Sequence, residues 1–410
     1  MRAQMIQAAS DKPSFATATR LEGIGEYYFS QKLREIEQMN QAGKKVINLG
    51  IGSPDLPPHP DVITVLQQEC AKAGTHGYQG YKGIPQLREA IADWYNKWYD
   101  VQVDPATEIL PLIGSKEGIM HLCMTYLNAS DIALVPDPGY PTYHSAVKLA
   151  GGEPVAYQLT RAQNWFPDFD ALNGMVNQYK VAGRQIKMMW VNYPHMPTGQ
   201  LPTKQLFEKL IAFGKQHQIL ICHDNPYSFI LNEAPMSILA VDGAMETAVE
   251  LNSLSKAQNM AGWRVGMMLG SRERIDEVLR FKSNMDSGMF MPVQLAAVKA
   301  LSLGKEWYDQ LNATYATRRE SVLELLKAIG AEPLKGQAGL FVWAAVPERF
   351  SSGFEMSDAI LQNANVFITP GGIFGEQGSG YIRVSLCSSV EKLSEANERI
   401  ATTLKTGALS

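Results

Sequence analysis

The chain is poor in the features that mark several large classes of protein. Its four cysteines lie far apart and form no Cys-x-x-Cys pair, so the sequence predicts neither a disulfide framework nor a zinc ribbon, and no bound metal. No stretch approaches the roughly 18 apolar residues of a membrane span, and the first residues contain no long apolar run of a secretion signal. The formal net charge is -4, and no cluster of lysine and arginine resembles a nucleic-acid-binding element. We therefore expect a cytoplasmic protein that has no nucleic-acid or membrane partner.

A dinucleotide-binding turn is also missing. Gly50-Ile51-Gly52 follows an apolar segment, but Ser53-Pro54-Asp55 cannot open the helix that a Gly-x-Gly-x-x-Gly turn requires. The absence of a side chain at Gly52 instead indicates a close approach to the backbone. Either a neighbouring piece of chain or a substrate carboxylate could make that approach, and the spacing does not decide between them.

What the chain does have is a regular alternation of short apolar runs and amphipathic stretches. Apolar residues make up 45% of the 410 residues and charged residues 19%, which is enough for sizeable cores in two or three domains. The predicted strands cover residues 109–113, 132–135, 154–157, 187–191, 219–222, 248–251 and 265–269. Predicted helices between them cover residues 117–127, 143–149 and 204–217. This order predicts an α/β fold with a mostly parallel sheet covered by helices on both sides.

The pattern changes after Arg272. Two or three helices are predicted next, including a long one over residues 307–329. Short strands at 341–345, 366–368 and 382–385 and a last helix at 390–404 follow. Together with an N-terminal helix at 27–41, these elements predict a smaller α+β domain built from both ends of the chain. The expected limits are residues 1–60 for the N-terminal segment of the small domain, 61–290 for the large domain and 291–410 for the C-terminal part.

Lys256 is the residue most suggestive of chemistry. Ser253 and Ser255 precede it and Arg264 follows eight residues later. A lysine attacks an aldehyde only when its pKa is lowered by burial or by a nearby cation, and a phosphate-bearing aldehyde needs hydroxyls and an arginine close by. A lone lysine is more often a solvated surface charge. The Ser-x-x-Lys spacing also occurs in penicillin-binding acyltransferases, but no Ser-x-Asn element is present and the Lys-Thr-Gly at Lys405 lies too near the C-terminus.

Two other segments point to a phosphorylated ring. After the strand at 109–113, residues 114–118 are followed by a helix, whose free N–H groups and dipole would attract an anion. Ser115 could equally be only the N-cap of that helix. The strand at 219–222 leads to Asp224, which would lie at the carboxyl end of the sheet, where α/β proteins bind ligands. There Asp224 could hold a ring nitrogen protonated or merely cap the Asn225-Pro226 turn.

Taken together, these pieces resemble the class I/II aminotransferases, which are fold-type I pyridoxal-phosphate enzymes, over residues 27–404. The resemblance rests on the motifs Leu49-Gly-Ile-Gly-Ser-Pro-Asp55, Tyr78-x5-Ile84-Pro-x-Leu-Arg88, Asp137-Pro-Gly-Tyr-Pro-Thr-Tyr143, Asn192-Tyr-Pro-His-Met-Pro-Thr-Gly199, Ser253-x-Ser-Lys256 and Ile382-Arg-Val-Ser385. It implies an enzyme that moves an amino group from an L-amino acid to a 2-oxo acid by a ping-pong mechanism. A carbon–sulfur lyase or a decarboxylase on the same fold is the alternative.

The resemblance also implies roles for individual residues. Lys256 would form the Schiff base with the cofactor and carry protons, Asp224 would bind the ring nitrogen, and Tyr227 would donate to the phenolic oxygen. Tyr140 would stack on the ring, while Gly52 and Arg383 would bind the substrate carboxylate. Phosphate contacts are implied for Ser115, Lys116, Ser253, Ser255 and Arg264, joined by Tyr78 from the second subunit of a homodimer.

One position departs from the family pattern. Met196 stands directly before Pro197-Thr-Gly199, where asparagine is common and donates to the phenolic oxygen. A thioether cannot donate a hydrogen bond, so we expect a higher pKa for the Schiff-base nitrogen than is usual in the family. The segment 282–291 resembles the diaminopimelate and alanine/aspartate branches. It favours aspartate, alanine or diaminopimelate-type donors with 2-oxoglutarate over aromatic donors.

Overall fold

The computed structural model describes residues 15–26 and 28–407. Tyr27, at which the predicted N-terminal helix begins, lies outside the described residues. The helices are α1 (Tyr28–Gln41), α2 (Pro60–Cys70), α3 (Pro85–Tyr99), α4 (Ser115–Tyr126), α5 (Pro141–Leu149), α6 (Phe169–Val181), α7 (Lys204–His217), α8 (Ala244–Thr247), α9 (Arg272–Lys282), α10 (Met291–Leu301), α11 (Lys305–Ala328), α12 (Gly353–Ala364) and α13 (Val390–Lys405). The strands are β1 (Ile47–Asn48), β2 (Ile109–Leu112), β3 (Ile132–Asp137), β4 (Glu153–Gln158), β5 (Ile186–Asn192), β6 (Leu220–Asp224), β7 (Ala248–Ser253), β8 (Gly266–Leu269), β9 (Glu332–Pro333), β10 (Phe341–Ala345), β11 (Val366–Phe367), β12 (Thr369–Pro370) and β13 (Tyr381–Ser385).

Seven strands form the central sheet, in the order β2-β8-β7-β6-β5-β3-β4. Strands β7, β6, β5, β3 and β4 run parallel, whereas β8 pairs antiparallel with both β7 and β2. Adjacent residues of one strand point to opposite faces: Met188 belongs to the hydrophobic core under α4, α5 and α9, and Met189 to the core on the other face. The predicted fold class, a mostly parallel mixed sheet covered by helices, is confirmed.

The two ends of the chain meet in a second set of strands. β1 pairs parallel with β11, and β12, β13, β10 and β9 form a four-stranded antiparallel sheet. Arg318 of α11 binds both carboxylate oxygens of Asp55, at 2.6 and 2.9 Å, and is almost fully buried. This ion pair fixes the loop after β1 onto α11, and that loop leads directly past the cavity described below.

The predicted elements exist with ends that differ by at most two residues, but five helices were missed. These are α2, α3, α6, the short α8 and α12. In α3 the buried side chains are largely aromatic, including Trp94, Tyr95 and Tyr99, which weakens the helix signal because aromatic residues are modest helix formers. In α6 only Leu172 is fully buried, so the apolar periodicity that would reveal a helix is thin.

Across the part of the chain that the structure describes, no helix is both long enough and apolar enough to cross a membrane.

Candidate active site

A cavity of about 520 Å³ opens at the carboxyl ends of β5, β6 and β7. Open parallel sheets offer their ligand-binding crevice at this edge. Eleven of the twelve predicted site residues line the cavity: Gly52, Ser115, Lys116, Tyr140, Asp224, Tyr227, Ser253, Ser255, Lys256, Arg264 and Arg383. The twelfth, Tyr78, is 93% exposed and lies outside the cavity of its own chain.

Lys256 follows β7 directly, and its Nζ donates to the carbonyl oxygen of Gly52 at 2.9 Å. Burial lowers the pKa of Lys256, and the guanidinium groups of Arg383 and Arg264 lower it further, against the opposing effects of Cys387 and Asp224. A lowered pKa leaves more of the amine neutral near pH 7, and only the neutral amine attacks a carbonyl carbon. The surroundings of Lys256 therefore favour nucleophilic chemistry over a structural ion pair.

An anion-binding corner lies beside Lys256, at the start of α4. The N-cap position of α4 is Gly114 (φ 81°), which offers no side chain, and Ser115 is the first helical residue. Ser115 is therefore not the N-cap, and the N-cap residue gives the first turn of α4 no side-chain hydrogen bond. Ser115 and Lys116 of this turn line the cavity. Ser253 Oγ donates to Ser255 Oγ at 2.8 Å, which places both hydroxyls in the same corner.

Arg264 closes this corner from the other side. Its Nη1 donates to the Ala261 carbonyl at 2.9 Å and lies 3.4 Å from Ser255 Oγ. Its guanidinium packs so closely over Gly114 that a Cβ there would come within 2.0 Å of Nη2. A Cβ at Gly266 would likewise meet the Ser115 nitrogen at 2.6 Å. Glycine at both positions therefore lets a guanidinium, a helix N-terminus and two hydroxyls converge on one point, which suits a phosphate group.

Asp224, the last residue of β6, presents one satisfied and one unsatisfied oxygen. Its Oδ2 accepts from the Tyr143 hydroxyl at 2.8 Å, while Oδ1 is buried and has no hydrogen-bond partner. Burial raises its pKa to about 6, opposed by the Tyr143 hydrogen bond and by the charges of His223 and Lys256. Since neither oxygen bonds to the following turn, the loop-cap reading of Asp224 is wrong. A buried oxygen without a donor requires one from a ligand.

Arg383, on β13, stands at the opposite wall in a ring of aromatic side chains. Its Cζ lies 3.8 Å from the ring centre of Phe341 and 4.6 Å from that of Phe374. Nη2 donates to the Gly50 carbonyl at 2.9 Å, and Nη1 lies 3.3 Å from the sulfur of Met196. These contacts hold the guanidinium in place in the cavity wall, and a planar guanidinium can bind a carboxylate bidentately.

The glycines of the 49–55 loop are explained by packing. A Cβ on Gly52 would come within 2.1 Å of the Phe341 ring, and one on Gly50 within 2.3 Å of Phe367. Of the two explanations left open by the sequence, close approach of neighbouring chain is therefore realised. The Gly52 carbonyl faces Lys256, and its contact with a substrate carboxylate stays a prediction.

Two tyrosines complete the walls. Tyr140 precedes α5 and meets Tyr143 edge to face, with ring centres 5.6 Å apart. Tyr227 follows the turn after β6 and packs against Phe341, and burial raises the pKa of its hydroxyl well above the usual range. Tyr227 is therefore a protonated hydroxyl at neutral pH and can act as a hydrogen-bond donor.

The cavity fits the pyridoxal phosphate that the sequence resemblance implies. The unpaired Asp224 Oδ1 can accept from a protonated ring nitrogen, and the corner at α4 offers donors to a phosphate. Lys256 lies between these points with its amine in the cavity. An anion corner, a buried acceptor and a lysine of lowered pKa are the three elements that bind the cofactor's phosphate, ring nitrogen and aldehyde carbon.

The one group of side chains in the described ranges 15–26 and 28–407 that could hold a metal lies away from this cavity. It consists of Glu117, His121 and Asp286. The ammonium of Lys282 already binds both oxygens of Asp286, at 2.6 and 2.7 Å. A cation in this cluster would compete with that ammonium, so the absence of a metal stays our prediction.

Three residues of the site had no role in the sequence interpretation. Tyr143 donates to Asp224, Asn192 Nδ2 donates to the Asp224 carbonyl at 2.6 Å, and Phe341 supports Arg383. Tyr143 and Asn192 lie in motifs that carried the family resemblance. Polar residues at the ends of predicted strands were the available signal for Asn192, whereas nothing local marks Phe341.

Comparisons with known proteins give matches over nearly the whole chain. Residues 44–400 match the family described as aminotransferase class I and II. The chain is 39% identical over 384 residues to the LL-diaminopimelate aminotransferase of Dehalococcoides mccartyi, covering 93% of this chain and 97% of that one. It is 38% identical over 388 residues to the enzyme of the same name from Aquifex aeolicus, covering 94% and 98%.

Two solved structures also superpose on nearly the whole chain. Substrate-bound BacF from Bacillus subtilis superposes with a TM-score of 0.89 at 34% identity, covering 95% of this chain and 98% of that one. An aromatic aminotransferase from Pyrococcus horikoshii superposes with a TM-score of 0.83 at 29% identity, covering 92% and 100%.

Proposed function

The chain belongs to the class I and II aminotransferases, and from that premise we propose that it takes the amino group of LL-diaminopimelate, or of a closely similar diamino dicarboxylic acid, and passes it to 2-oxoglutarate. It is a pyridoxal-phosphate-dependent transaminase that acts on small amino and 2-oxo acids. The observation that carries the choice of donor is the 38–39% identity, over nearly the whole length of both chains, to relatives named for LL-diaminopimelate.

Lys256 is the proposed proton carrier. When bound, pyridoxal phosphate supplies an aldehyde that condenses with amines and a protonated ring that takes up the electron pair released at the substrate Cα. The Lys256 Nζ, of lowered pKa, removes the Cα proton and delivers it one carbon beyond the substrate nitrogen. Its hydrogen bond to the Gly52 carbonyl keeps the amine on the Arg383 side of the cavity.

Asp224 and Tyr227 would tune the cofactor from opposite sides. Asp224 Oδ1 holds the proton on the ring nitrogen, and Tyr143 fixes that carboxylate by its hydrogen bond to Oδ2. Tyr227 donates to the phenolic oxygen and Tyr140 stacks on the ring. The phosphate is bound by the first turn of α4 with Ser115 and Lys116, together with Ser253, Ser255 and Arg264.

Arg383 would bind the substrate α-carboxylate through two parallel hydrogen bonds, which lysine cannot reproduce. Among the described residues, the cations lining the cavity are Lys116, Lys256, Arg264 and Arg383, and each has one of the roles above. A short second carboxylate, as in aspartate, would therefore lack a cation in this chain.

We further propose a cytoplasmic homodimer in which Tyr78 of one subunit reaches the phosphate of the other. Its 93% exposure in the single chain supports a location at an interface, because a tyrosine so exposed loses the benefit of burying its ring. The proposed domain limits remain 1–60, 61–290 and 291–410. Helix α10, just beyond residue 290, packs on α2 and α3, so it spans the junction.

A donor screen on the purified holoenzyme tests the proposal. Each donor is mixed with enzyme without an acceptor, and conversion of the cofactor to its amine form is followed by absorption. LL-diaminopimelate should convert the cofactor at the lowest concentration, ahead of meso-diaminopimelate, aspartate, alanine and phenylalanine. Preference for phenylalanine or aspartate would contradict the proposed donor while leaving the aminotransferase family intact.

The same preparation separates amino transfer from lysis or decarboxylation. In multiple-turnover assays, keto-acid formation should depend strictly on added 2-oxoglutarate. Reduction with borohydride followed by peptide mapping should place the covalent adduct on Lys256. An adduct on another lysine would overturn the site assignment independently of the donor.

A further inference from the structure

Directly behind Asp224, the other face of β6 carries a buried polar network. His223 and Asp224 are successive residues of β6 and so point to opposite faces of the sheet. His223 pairs across to Glu250 of β7. Both side chains are completely buried, as is Tyr95 of α3, which covers this face. Nothing in the mechanism above uses them.

Glu250 is surrounded by hydrogen-bond donors. Its Oε1 accepts from the Tyr95 hydroxyl at 2.8 Å and from Asn225 Nδ2 at 3.2 Å. Its Oε2 accepts from Ser237 Oγ at 2.7 Å and from the backbone N–H of Ile238 at 3.1 Å, and lies 2.9 Å from His223 Nδ1.

The directions of these hydrogen bonds are fixed by their outer partners. The Tyr95 hydroxyl accepts from Asn252 Nδ2 at 3.2 Å, and Ser237 Oγ accepts from the Leu239 N–H at 3.1 Å. Each hydroxyl therefore gives its own proton to Glu250, and the Asn225 amide and Ile238 N–H have only protons to give. Four donors to one carboxyl group favour the ionised carboxylate, because each of them stabilises the negative charge.

The ring of His223 is then constrained at both nitrogens. Nε2 lies 2.9 Å from the carbonyl oxygen of Tyr193, which can only accept. Nδ1 faces the Glu250 carboxylate, which also only accepts. A neutral imidazole carries one proton and would leave one of these contacts without a hydrogen. The imidazolium form satisfies both, and it supplies the countercharge that a completely buried carboxylate needs.

We propose that His223 is a buried imidazolium whose charge cancels that of Glu250, so that Asp224 remains ionised and keeps its hold on the cofactor's ring nitrogen. His223 is in this view a positioning residue that acts through Asp224. The inference rests on the role given to Asp224 in the proposed function.

The charges around Asp224 support this role. The Glu250 carboxylate raises the pKa of Asp224 and the His223 cation lowers it, on top of the dominant effect of burial. The other titratable groups facing this network are Tyr95 and Tyr99 of α3, whose pKa values burial raises well above the usual range, and Lys256 on the cavity side. The tyrosines are thus neutral. Loss of the His223 charge alone would leave Glu250 opposing the ionisation of Asp224.

The protonation state can be read in the wild-type holoenzyme, without a substitution. Solid-state NMR of protein labelled with ¹⁵N-histidine should give one histidine with both ring nitrogens protonated from pH 6 to 9, assigned by its disappearance in His223→Gln. A singly protonated ring at position 223 anywhere in this range would overturn the proposal.

The charge argument is tested with cofactor labelled with ¹⁵N at the ring nitrogen. In the wild type this nitrogen should be protonated at pH 8, and in His223→Gln the protonated fraction should fall by about half or more. In His223→Gln/Glu250→Gln, which removes both charges, the fraction should return close to the wild-type level. A purely structural role predicts the opposite order, because the double variant loses more hydrogen bonds.

Failures of the two proposals are distinguishable. An unprotonated ring nitrogen in the wild type would sink the role of Asp224, and with it this inference. A protonated nitrogen in the wild type that is unchanged in His223→Gln, or not restored in the double variant, would sink only the role of His223.

Discussion

Two lysines, the half-buried Lys256 and the buried Lys282, show how one residue type has opposite tasks in one fold. Lys282, at the end of α9, is completely buried and binds both oxygens of Asp286. Lys256, after β7, bonds to a single carbonyl, and none of the ion pairs found within residues 15–26 and 28–407 includes it. The two lysines therefore differ most in their partners, a carboxylate for Lys282 and a carbonyl oxygen for Lys256.

The comparison teaches what makes a lysine reactive. A carboxylate at hydrogen-bond distance stabilises the ammonium and offsets the loss of hydration. Around Lys256, burial acts together with the positive charges of Arg383 and Arg264, and the pKa falls. Burial raises the pKa of Asp286, the partner of Lys282, but the hydrogen bonds of Lys282, the Gly288 N–H and Glu117 together lower it below its ordinary value. Burial with a matched anion gives a structural lysine, whereas burial among cations gives a nucleophile.

Separate substitutions of Lys256 and Lys282 should give the largest expected difference, which is in transaminase turnover. Lys256→Ala should lower transaminase turnover at least roughly 10⁴-fold while the protein still folds, since no other group can carry the Cα proton. Lys282→Met should lower turnover per folded molecule by less than about tenfold, because Lys282 lies outside the cavity. Steady-state assays on variants checked by thermal melting measure both. Comparable losses of turnover in the two variants would contradict the distinction between a reactive and a structural lysine.

The free energy of unfolding should show the reverse order, with the larger loss in the Lys282 variant. Lys282→Met leaves the half-buried Asp286 without its ammonium partner and should lower the free energy of unfolding by about 1 to 3 kcal/mol. The matched control Lys282→Met/Asp286→Leu removes both charges and should recover most of the loss. Denaturant unfolding at constant cofactor occupancy measures these differences. A double variant as unstable as the single one would mean that packing, not charge, holds this site.

Asp224 extends the comparison to a carboxylate that has no lysine bonded to it. Its folded pKa of about 6 exceeds the ordinary 3.8, mainly because of burial. The folded apoprotein therefore binds this proton more tightly, and its stability falls as pH rises from about 4 to about 6, by up to about 3 kcal/mol.

Asp224→Asn should remove this loss of apoprotein stability at higher pH. Apoprotein melting curves of the variant and the wild type should coincide near pH 4, and the variant should be more stable at pH 8. The holoenzyme of the variant should be nearly inactive, because the ring nitrogen loses its anionic partner. Equal stability of both apoproteins at pH 8 would show that burial does not raise the pKa of Asp224.

The smallest expected effect concerns Met196, whose sulfur faces Arg383 at 3.3 Å. Met196→Asn introduces a donor where the wild type has none, a difference worth about 1 kcal/mol for one hydrogen bond. Titration of the visible absorption with pH should give a lower apparent pKa for the cofactor-bound Lys256 nitrogen than in the wild type. An unchanged or higher value would reject the idea that the missing asparagine matters.

Much of the fold could be read from the sequence because its strands are short, apolar and separated by amphipathic helices. The residues at strand ends, Lys256 and Asp224 among them, follow from that alternation, since parallel strands share one functional edge. The order of strands does not follow from it. The contact of Tyr143 with Asp224 joins positions 81 residues apart, and it depends on where β3 and β6 lie in the sheet.

The pairing of His223 with Glu250 was not predicted, again because the order of strands does not follow from the sequence, although a signal existed. Glu250 is the one acidic residue of the buried strand β7, and His223 follows the apolar part of β6 beside Asp224. A charge is rarely buried without a partner, so ionisable residues in two buried strands indicate a contact between them. The position of Tyr78 could not be reached in this way, because its proposed site belongs to a second molecule.

The stacking of Tyr143 on Trp190 gives the protein a built-in optical sensor. The two rings are parallel within 8°, with centres 5.1 Å apart, and Tyr143 is hydrogen-bonded to Asp224. Indole emission overlaps the near-ultraviolet absorption of pyridoxal phosphate, so cofactor bound beside Asp224 should quench the fluorescence of Trp190. Trp190 is one of seven tryptophans, and the part of the protein's fluorescence that is lost on binding therefore reports cofactor loading without a label.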